Sequence, residues 1–329
     1  MLLDSFGREH NYLRISLTER CNLRCFYCMP EDGVELREKS EFMSNEEVIQ
    51  MAQTFVQLGV KKIRLTGGEP LIRKSAHDII RELGKLNVEL AITTNGILVE
   101  KFIDTFRSAG ITSVNVSLDS LKPDRLAAIC RKDYSDRIYR NIQLLLNEGF
   151  LVKLNMVVMA GVNSDELVDF VELSKDKPLH VRFIEFMPFN GNDWNLSKGT
   201  SYQEMMQVIS AHYGAENLIN MPEKENDTAR CYAIDGFEGT FGVIGSVTHP
   251  FCSSCNRIRV TADGKMKNCL FSTSETDLLA PLRNGEDISQ LIGDSIQSKK
   301  AQRAGMNSLD DLLDRSKTDA NRSMVSIGG

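Results

Sequence analysis

A change of period repeats along the first 190 residues and limits what this chain can fold into. Short β-branched runs at 13–18, 61–66, 89–94, 113–118, 152–159 and 180–187 each end in turn or polar residues. Helix-period stretches at 44–58, 76–86, 98–109, 134–148 and 164–174 lie between most of them. Ser44, with Glu47 three residues on, has the pattern of a capping box. Tight turns cannot join parallel strands, so this alternation calls for crossover helices and a parallel sheet. Six units are two short of an eightfold barrel. The expected fold class is therefore α/β, either an open partial (βα)6 TIM-type barrel or a doubly wound sheet, over residues 1–190.

The pattern changes after Pro188. Residues 189–199 are rich in Gly, Asn and Asp, and 201–213 reads as a helix. Short strands follow at 231–234, 240–247, 257–261 and 265–269; Ala262, Asp263 and Gly264 join the last two as a hairpin turn. Two or three polar helices come next, and residues 322–329 carry no helix pattern. Residues 191–329 are thus expected to form an α+β module. There is no internal repeat beyond the βα units.

Charge and hydropathy narrow the function classes. Lys plus Arg is 39 against 45 for Asp plus Glu, a net charge of −6. Nucleic-acid coating needs a broad basic surface, so no nucleic-acid partner is expected. No apolar run approaches the roughly 18 residues of a membrane span, so no membrane partner is expected either. The opening MLLDSFGREHNYLR lacks the apolar core of a secretory signal. The expectation is a cytoplasmic protein whose thiols stay reduced.

Six of the eight cysteines fall into two groups of three. Cys21, Cys25 and Cys28 form a C-x3-C-x2-C triplet just after the first strand. Short gaps let three thiolates converge, and three protein ligands leave one iron of a four-iron cluster open to a small molecule. A zinc site would want a fourth ligand, which only His10 could supply. Cys252, Cys255 and Cys269 form the second group, where His249 makes a Cys3His zinc site as reasonable as a cluster. Cys130 and Cys231 stand alone and read as small buried hydrophobes.

Basic residues sit inside strands that crossover helices should cover. Alternation puts Arg14, Ser16 and Thr18 on one face, as it does Lys62, Arg64 and Thr66, and Lys153 with Asn155. Apolar neighbours should pack on the helices, leaving the cations toward the barrel axis. Unpaired buried cations cost several kcal/mol each, which a polyanion such as a triphosphate would offset. Arg257 and Arg259 repeat the pattern beside the second triplet, although from the residues alone a solvated hairpin face is the better reading of two such arginines.

The first triplet, with Tyr27 before its last cysteine, resembles the signature of the radical S-adenosylmethionine (SAM) superfamily. Thr66-Gly67-Gly68-Glu69-Pro70 is similar to that superfamily's GGEP motif. The second triplet, Arg257-Ile258-Arg259 and the terminal Gly328-Gly329 narrow the resemblance to the GTP 3′,8-cyclases, which begin molybdenum cofactor biosynthesis. The resemblance covers nearly the whole chain. It implies a partial barrel whose mouth the C-terminal module closes, and two 4Fe–4S clusters. These would be held by Cys21, Cys25 and Cys28, and by Cys252, Cys255 and Cys269. It further implies SAM contacts at Tyr27, Gly68, Ser117 and Met187, with Gly67 and Gly68 giving room at the methionine end and Glu69 meeting its amino group. GTP contacts would come from Arg14, Arg64, Thr93, Lys153, Arg257, Ile258 and Arg259, with Arg182 as a further candidate. Gly328 and Gly329 would form a catalytic tail.

The implied partners are GTP and SAM, an electron donor such as flavodoxin or ferredoxin, and a downstream cyclic pyranopterin monophosphate synthase. A homodimer is compatible with the resemblance. Two other readings stay open: a radical SAM enzyme that modifies a peptide, and a metal-stabilised binding module without turnover. The first is expected to carry more C-terminal cysteines than three and needs no basic lumen.

Overall fold

The computed structural model describes residues 1–29, 33, 37–223 and 225–328. Six parallel strands lie side by side in chain order: β1 (Tyr12–Ser16), β2 (Lys62–Thr66), β3 (Glu89–Thr94), β4 (Ser113–Ser117), β5 (Leu151–Val158) and β6 (Leu179–Glu185). The crossovers contain α1 (Asn45–Gln57), α2 (Ala76–Leu83), α3 (Ile103–Ser108), α4 (Pro123–Cys130), α5 (Ser135–Asn147) and α6 (Leu167–Glu172). The Ser44 side chain caps α1, and Glu47 returns the bond to the Ser44 N–H. Leu13, Ile15, Ile63, Leu65, Val152 and Leu154 are buried in one core with Phe55, Ile79, Phe106 and Leu145. The alternation in the sequence is thus the alternation between core and lumen.

The later segment runs through α7 (Tyr202–Tyr213), β7 (Leu218–Asn220), β8 (Arg230–Ile234), β9 (Thr240–Ile244), β10 (Arg257–Val260), β11 (Lys265–Lys267) and β12 (Thr276–Asp277). It ends in the helices α8 (Leu279–Arg283), α9 (Ser289–Gln297), α10 (Leu309–Leu313), α11 (Arg315–Thr318) and α12 (Met324–Ile327). Its strands extend both edges of the first six. β9 pairs parallel to β6 and β10 parallel to β1, so the two strands missing from an eightfold barrel come from residues 240–260. The sheet stays open. β8 and β7 continue antiparallel beyond β9, and β11 and β12 beyond β10.

Several details differ from the sequence reading, and β7 and β12 were not expected. α4 was not expected; its only local signal is Pro123 in the first turn. The stretches at 98–109 and 164–174 begin as 3-10 turns, Val99–Lys101 and Ser164–Glu166, before becoming α-helical. The tail, expected to lack helix, forms one turn at Met324–Ile327. A single turn is too short to show a period, and burial of Val325 and Ile327 holds it in place.

Candidate active site

Parallel register sets the basic residues in rows across the lumen. Arg14 is level with Arg64 on β2 and Arg259 on β10. Two residues toward the start of the strands, Tyr12 is level with Lys62 and Arg257. Two residues toward their ends, Ser16 is level with Thr66. Across the lumen, Lys153 is level with His180 and Asn155 with Arg182.

The strand ends open into a cavity of about 320 Å³. Cys21, Cys25, Cys28, Tyr27, Gly68, Thr93, Ser117 and Met187 line it, together with Cys252, Cys255, Cys269, Arg257 and Arg259. Arg14 and Arg182 line it as well. Arg64, Lys153, Ile258 and Gly328 are not in its wall. Arg64 stands directly behind, donating Nη1 to the Ile92 carbonyl at 3.1 Å and to Thr93 Oγ1 at 3.4 Å. Ile258 turns its side chain into the apolar core, level with Leu13. Gly328 lies over the lumen: its carbonyl accepts from Arg259 Nη1 at 2.8 Å and from Thr66 Oγ1 at 3.4 Å. Gly329 falls outside the described residues.

Several cationic donors in this wall have no partner among the described residues: Arg14 Nε, Arg182 Nε, and both Nε and Nη2 of Arg257. Burial, reinforced by neighbouring arginines, lowers the Arg182 and Arg259 pKa values to about 9. Burial lowers that of Lys153 too, with Arg182 adding to the effect. Buried guanidinium nitrogens without partners, gathered in one cavity, fit a multiply charged anion.

All eight thiols are unbridged, and the six in triplets are half-buried. Among the described residues, no group of three His, Cys, Asp or Glu side chains is arranged to hold a single metal ion. The irons of a four-iron cluster each take one thiolate, so its ligands stand farther apart than the donors of one zinc. Burial pushes the Cys21 thiol up to about 12, and pushes Cys28 well above its ordinary value. The Cys255 thiol goes the other way: burial would raise it, but Lys299 and Arg257 together bring it to about 7. Lys299 Nζ lies 3.7 Å from Cys255 Sγ and donates to the Arg257 carbonyl at 3.1 Å. Arg8 donates to the Cys252 carbonyl at 2.7 Å. His249 faces Thr248 Oγ1 at 3.2 Å and the Tyr202 ring.

The cysteine loop is fixed by its neighbours. Gly68 N–H donates to the Thr18 carbonyl at 2.7 Å and Glu69 N–H to the Arg20 carbonyl at 2.9 Å. A Cβ on Gly68 would lie 2.3 Å from the Arg20 oxygen, and one on Gly67 2.6 Å from the Thr18 oxygen. The room these glycines make is therefore filled by the backbone leading to Cys21. Glu69, expected to meet an amino group, is buried and accepts from Leu71 N–H, Asn95 N–H and Thr94 Oγ1. Burial raises its carboxyl to about 7 despite those bonds. Tyr27 Oη donates to Asp119 Oδ2 at 2.7 Å, and Asp119 Oδ1 accepts from Val157 N–H at 2.9 Å.

Cys130 is more than a small hydrophobe. Its thiol lies 3.6 Å from Cys25 Sγ and lines the cavity. The end of α4 also accepts backbone bonds from Arg24 and Phe26. Neither Asp119 nor Cys130 was legible beforehand, because their partners lie 92 and 105 residues away in sequence.

An open parallel βα sheet with three thiols in the loop after its first strand defines a radical SAM protein. The description "Radical SAM superfamily" matches residues 15–174, and "Molybdenum Cofactor Synthesis C" matches residues 179–305. The mitochondrial GTP 3′,8-cyclase of Arabidopsis thaliana is 47% identical over 335 residues, covering 100% of this chain and 84% of its own. The GTP 3′,8-cyclase of Peptoclostridium acidaminophilum is 42% identical, covering 91% of this chain and 92% of its own. The chain belongs to the GTP 3′,8-cyclase family of molybdenum cofactor biosynthesis. Human molybdenum cofactor biosynthesis protein 1 is 45% identical over 95% of this chain; the chain spans about half the length of that relative, 50%. Streptococcus suis SuiB bound to S-adenosylmethionine superposes with a TM-score of 0.65 at 14% identity, covering 97% of this chain and 77% of that one, a likeness of fold alone.

Proposed function

We propose that this chain is a radical SAM lyase that converts GTP to 3′,8-cyclo-7,8-dihydro-GTP, the first step of molybdenum cofactor biosynthesis. One observation carries the reading: a single cavity gathers both cysteine triplets and the orphaned arginines. Cys21, Cys25 and Cys28 would hold one 4Fe–4S cluster and Cys252, Cys255 and Cys269 the other. The first cluster, with SAM and an electron, would supply the chemistry that removes hydrogen from C3′ of the ribose; closing C3′ onto C8 would leave an unpaired electron on guanine, which one further electron and a proton at N7 must quench.

This chain's own residues place the reactants. Arg14, Arg182, Arg257 and Arg259 neutralise the triphosphate, with Arg64 bracing the row from behind and Lys153 adding charge across the lumen. Thr93 offers a hydroxyl at the rim, and the Ile258 main chain carries the two arginines at its sides. Tyr27, Gly68, Ser117 and Met187 shape the wall beside the first triplet, where SAM would lie. Gly328 closes the lumen over Ser16 and Thr66. Charge concentrated in the lumen fixes the triphosphate and so orients the ribose.

The partner reading follows: a low-potential donor such as flavodoxin or ferredoxin delivers the electron, and a cyclic pyranopterin monophosphate synthase takes the product. No helix among the described residues is long and apolar enough to cross a membrane. The compartment reading stays the cytoplasm, where thiols remain reduced, although the Arabidopsis relative is named mitochondrial.

The test is anaerobic incubation of cluster-reconstituted protein with SAM, GTP and a strong reductant. A cyclised guanine nucleotide is expected alongside 5′-deoxyadenosine. Formation of 5′-deoxyadenosine with no GTP-derived product would overturn the substrate assignment.

A further inference from the structure

A charged cluster outside the cavity holds the segment just before the tail. Arg322 grips Asp263 with both terminal nitrogens, Nη1 to Oδ1 at 2.9 Å and Nη2 to Oδ2 at 3.0 Å. Asp263 sits in the β10–β11 turn with its side chain only 5% exposed. It also accepts from Thr261 Oγ1 at 2.6 Å and from Arg37 Nη1 at 3.0 Å. Arg37 Nη2 in turn donates to Glu19 Oε1 at 2.5 Å, two residues before Cys21. Arg322 Nη1 comes within 3.6 Å of that same oxygen, and its Nη2 also donates to Glu275. Next to Arg322, Asn321 accepts from the buried Lys267 Nζ at 3.0 Å and donates to the Leu270 carbonyl at 3.0 Å.

We infer that Arg322, Asp263, Glu19 and Arg37 form a clasp that seats the C-terminal tail over the lumen and ties it to the loop carrying Cys21. Arg322 is then a positioning residue for cyclisation. The catalytic part of this inference rests on the proposed function; the seating of the tail does not.

The physical need is clear. Gly328 has no side chain to hold it and loses much backbone freedom when ordered. Burial of Val325 and Ile327 supplies one anchor, and the Arg259 bond to Gly328 another. The clasp supplies a third, at the base of the tail. A bidentate arginine on a carboxylate fixes direction as well as distance. Asp263 also belongs to the hairpin that bears Arg257 and Arg259, so the clasp sets the tail and the anion-binding strand in one frame. Without Arg322, Asp263, Glu19 and Glu275 face fewer cations. Breaking one member of a buried ion network is strongly unfavourable to the arrangement it holds.

The experiment compares hydrogen exchange of residues 323–328 in the reconstituted full chain and in Arg322→Leu. Exchange there is expected to rise on the order of a hundredfold, with no change in the peptides of β1–β6. Arg322→Lys, which keeps the charge but loses the fork, should fall between the two. With GTP present, Arg322→Leu should cleave SAM but form less cyclised product per 5′-deoxyadenosine. Unchanged tail exchange in Arg322→Leu would overturn the clasp, as would a rise spread evenly over the whole chain. If the native chain forms no cyclised product at all, the proposed function fails while the exchange result still judges the clasp.

Discussion

Tyr12 stands among three cations, with Lys62, Arg14 and Arg64 at 5.5, 5.7 and 5.9 Å from its ring, and Arg64 Nε donates to its hydroxyl. Burial would raise the phenol, but Arg64, Arg14 and Lys62 outweigh it and bring the pKa down to about 7. The ionised form is therefore favoured in the folded chain. Its contribution to stability grows as pH rises above about 7 and is lost as pH falls through it. The tyrosinate absorption of the native chain minus that of Tyr12→Phe should titrate near neutrality. Adding inorganic triphosphate should move that midpoint upward, because a competing anion makes the phenolate less favourable. A midpoint at the ordinary tyrosine value near ~10 would contradict this reading. The packing at Gly68 makes a second test at this scale. In Gly68→Ala the new methyl meets the Arg20 carbonyl, so the cysteine loop must shift. A loss of about 1–3 kcal/mol in stability and a clear drop in reconstituted iron are expected. Iron content equal to the native chain would refute that coupling. The facing of Arg14, Arg64 and Lys153 was legible because strand alternation is local. The Tyr27–Asp119 bond and the Cys25–Cys130 contact were not, because nothing local records which distant strand end will be adjacent.

At the scale of elements, the six βα units were legible from period alone, within a residue or two at most strand ends. α4 and the single turn of α12 were not: four residues barely sample a helical period, and α4 carries a weaker apolar stripe than the equally long α2. The placement of β9 and β10 on opposite edges was also hidden: hydropathy gives a strand's existence but not its partner. The α12 turn makes the tail testable. Gly328 has φ +85°, and a Cβ there would lie 2.7 Å from the Ser16 Cβ. Gly328→Ala, or deletion of Gly328 and Gly329, should leave iron content and SAM cleavage intact while abolishing most cyclised product. Full product yield after the deletion would remove the tail from the mechanism.

Over the whole molecule, the net charge of −6 disfavours a nucleic-acid coat yet conceals a lumen in which several guanidinium nitrogens have no partner among the described residues. Two triplets facing one cavity imply about eight irons per chain, four on each. Cys21→Ala and Cys269→Ala should each lose roughly half of the iron. A native chain carrying zinc at the second triplet would contradict the two-cluster arrangement. Because each cluster would keep an open iron, iron content and activity should fall together on exposure to air.

The measurement closest to the chemistry uses GTP deuterated at C3′, with SAM and reductant under anaerobic conditions. If the cavity holds GTP with its ribose toward the first triplet, mass spectrometry should find the deuterium in 5′-deoxyadenosine, in step with cyclised product. Unlabelled 5′-deoxyadenosine, formed at the same rate with or without GTP, would contradict it.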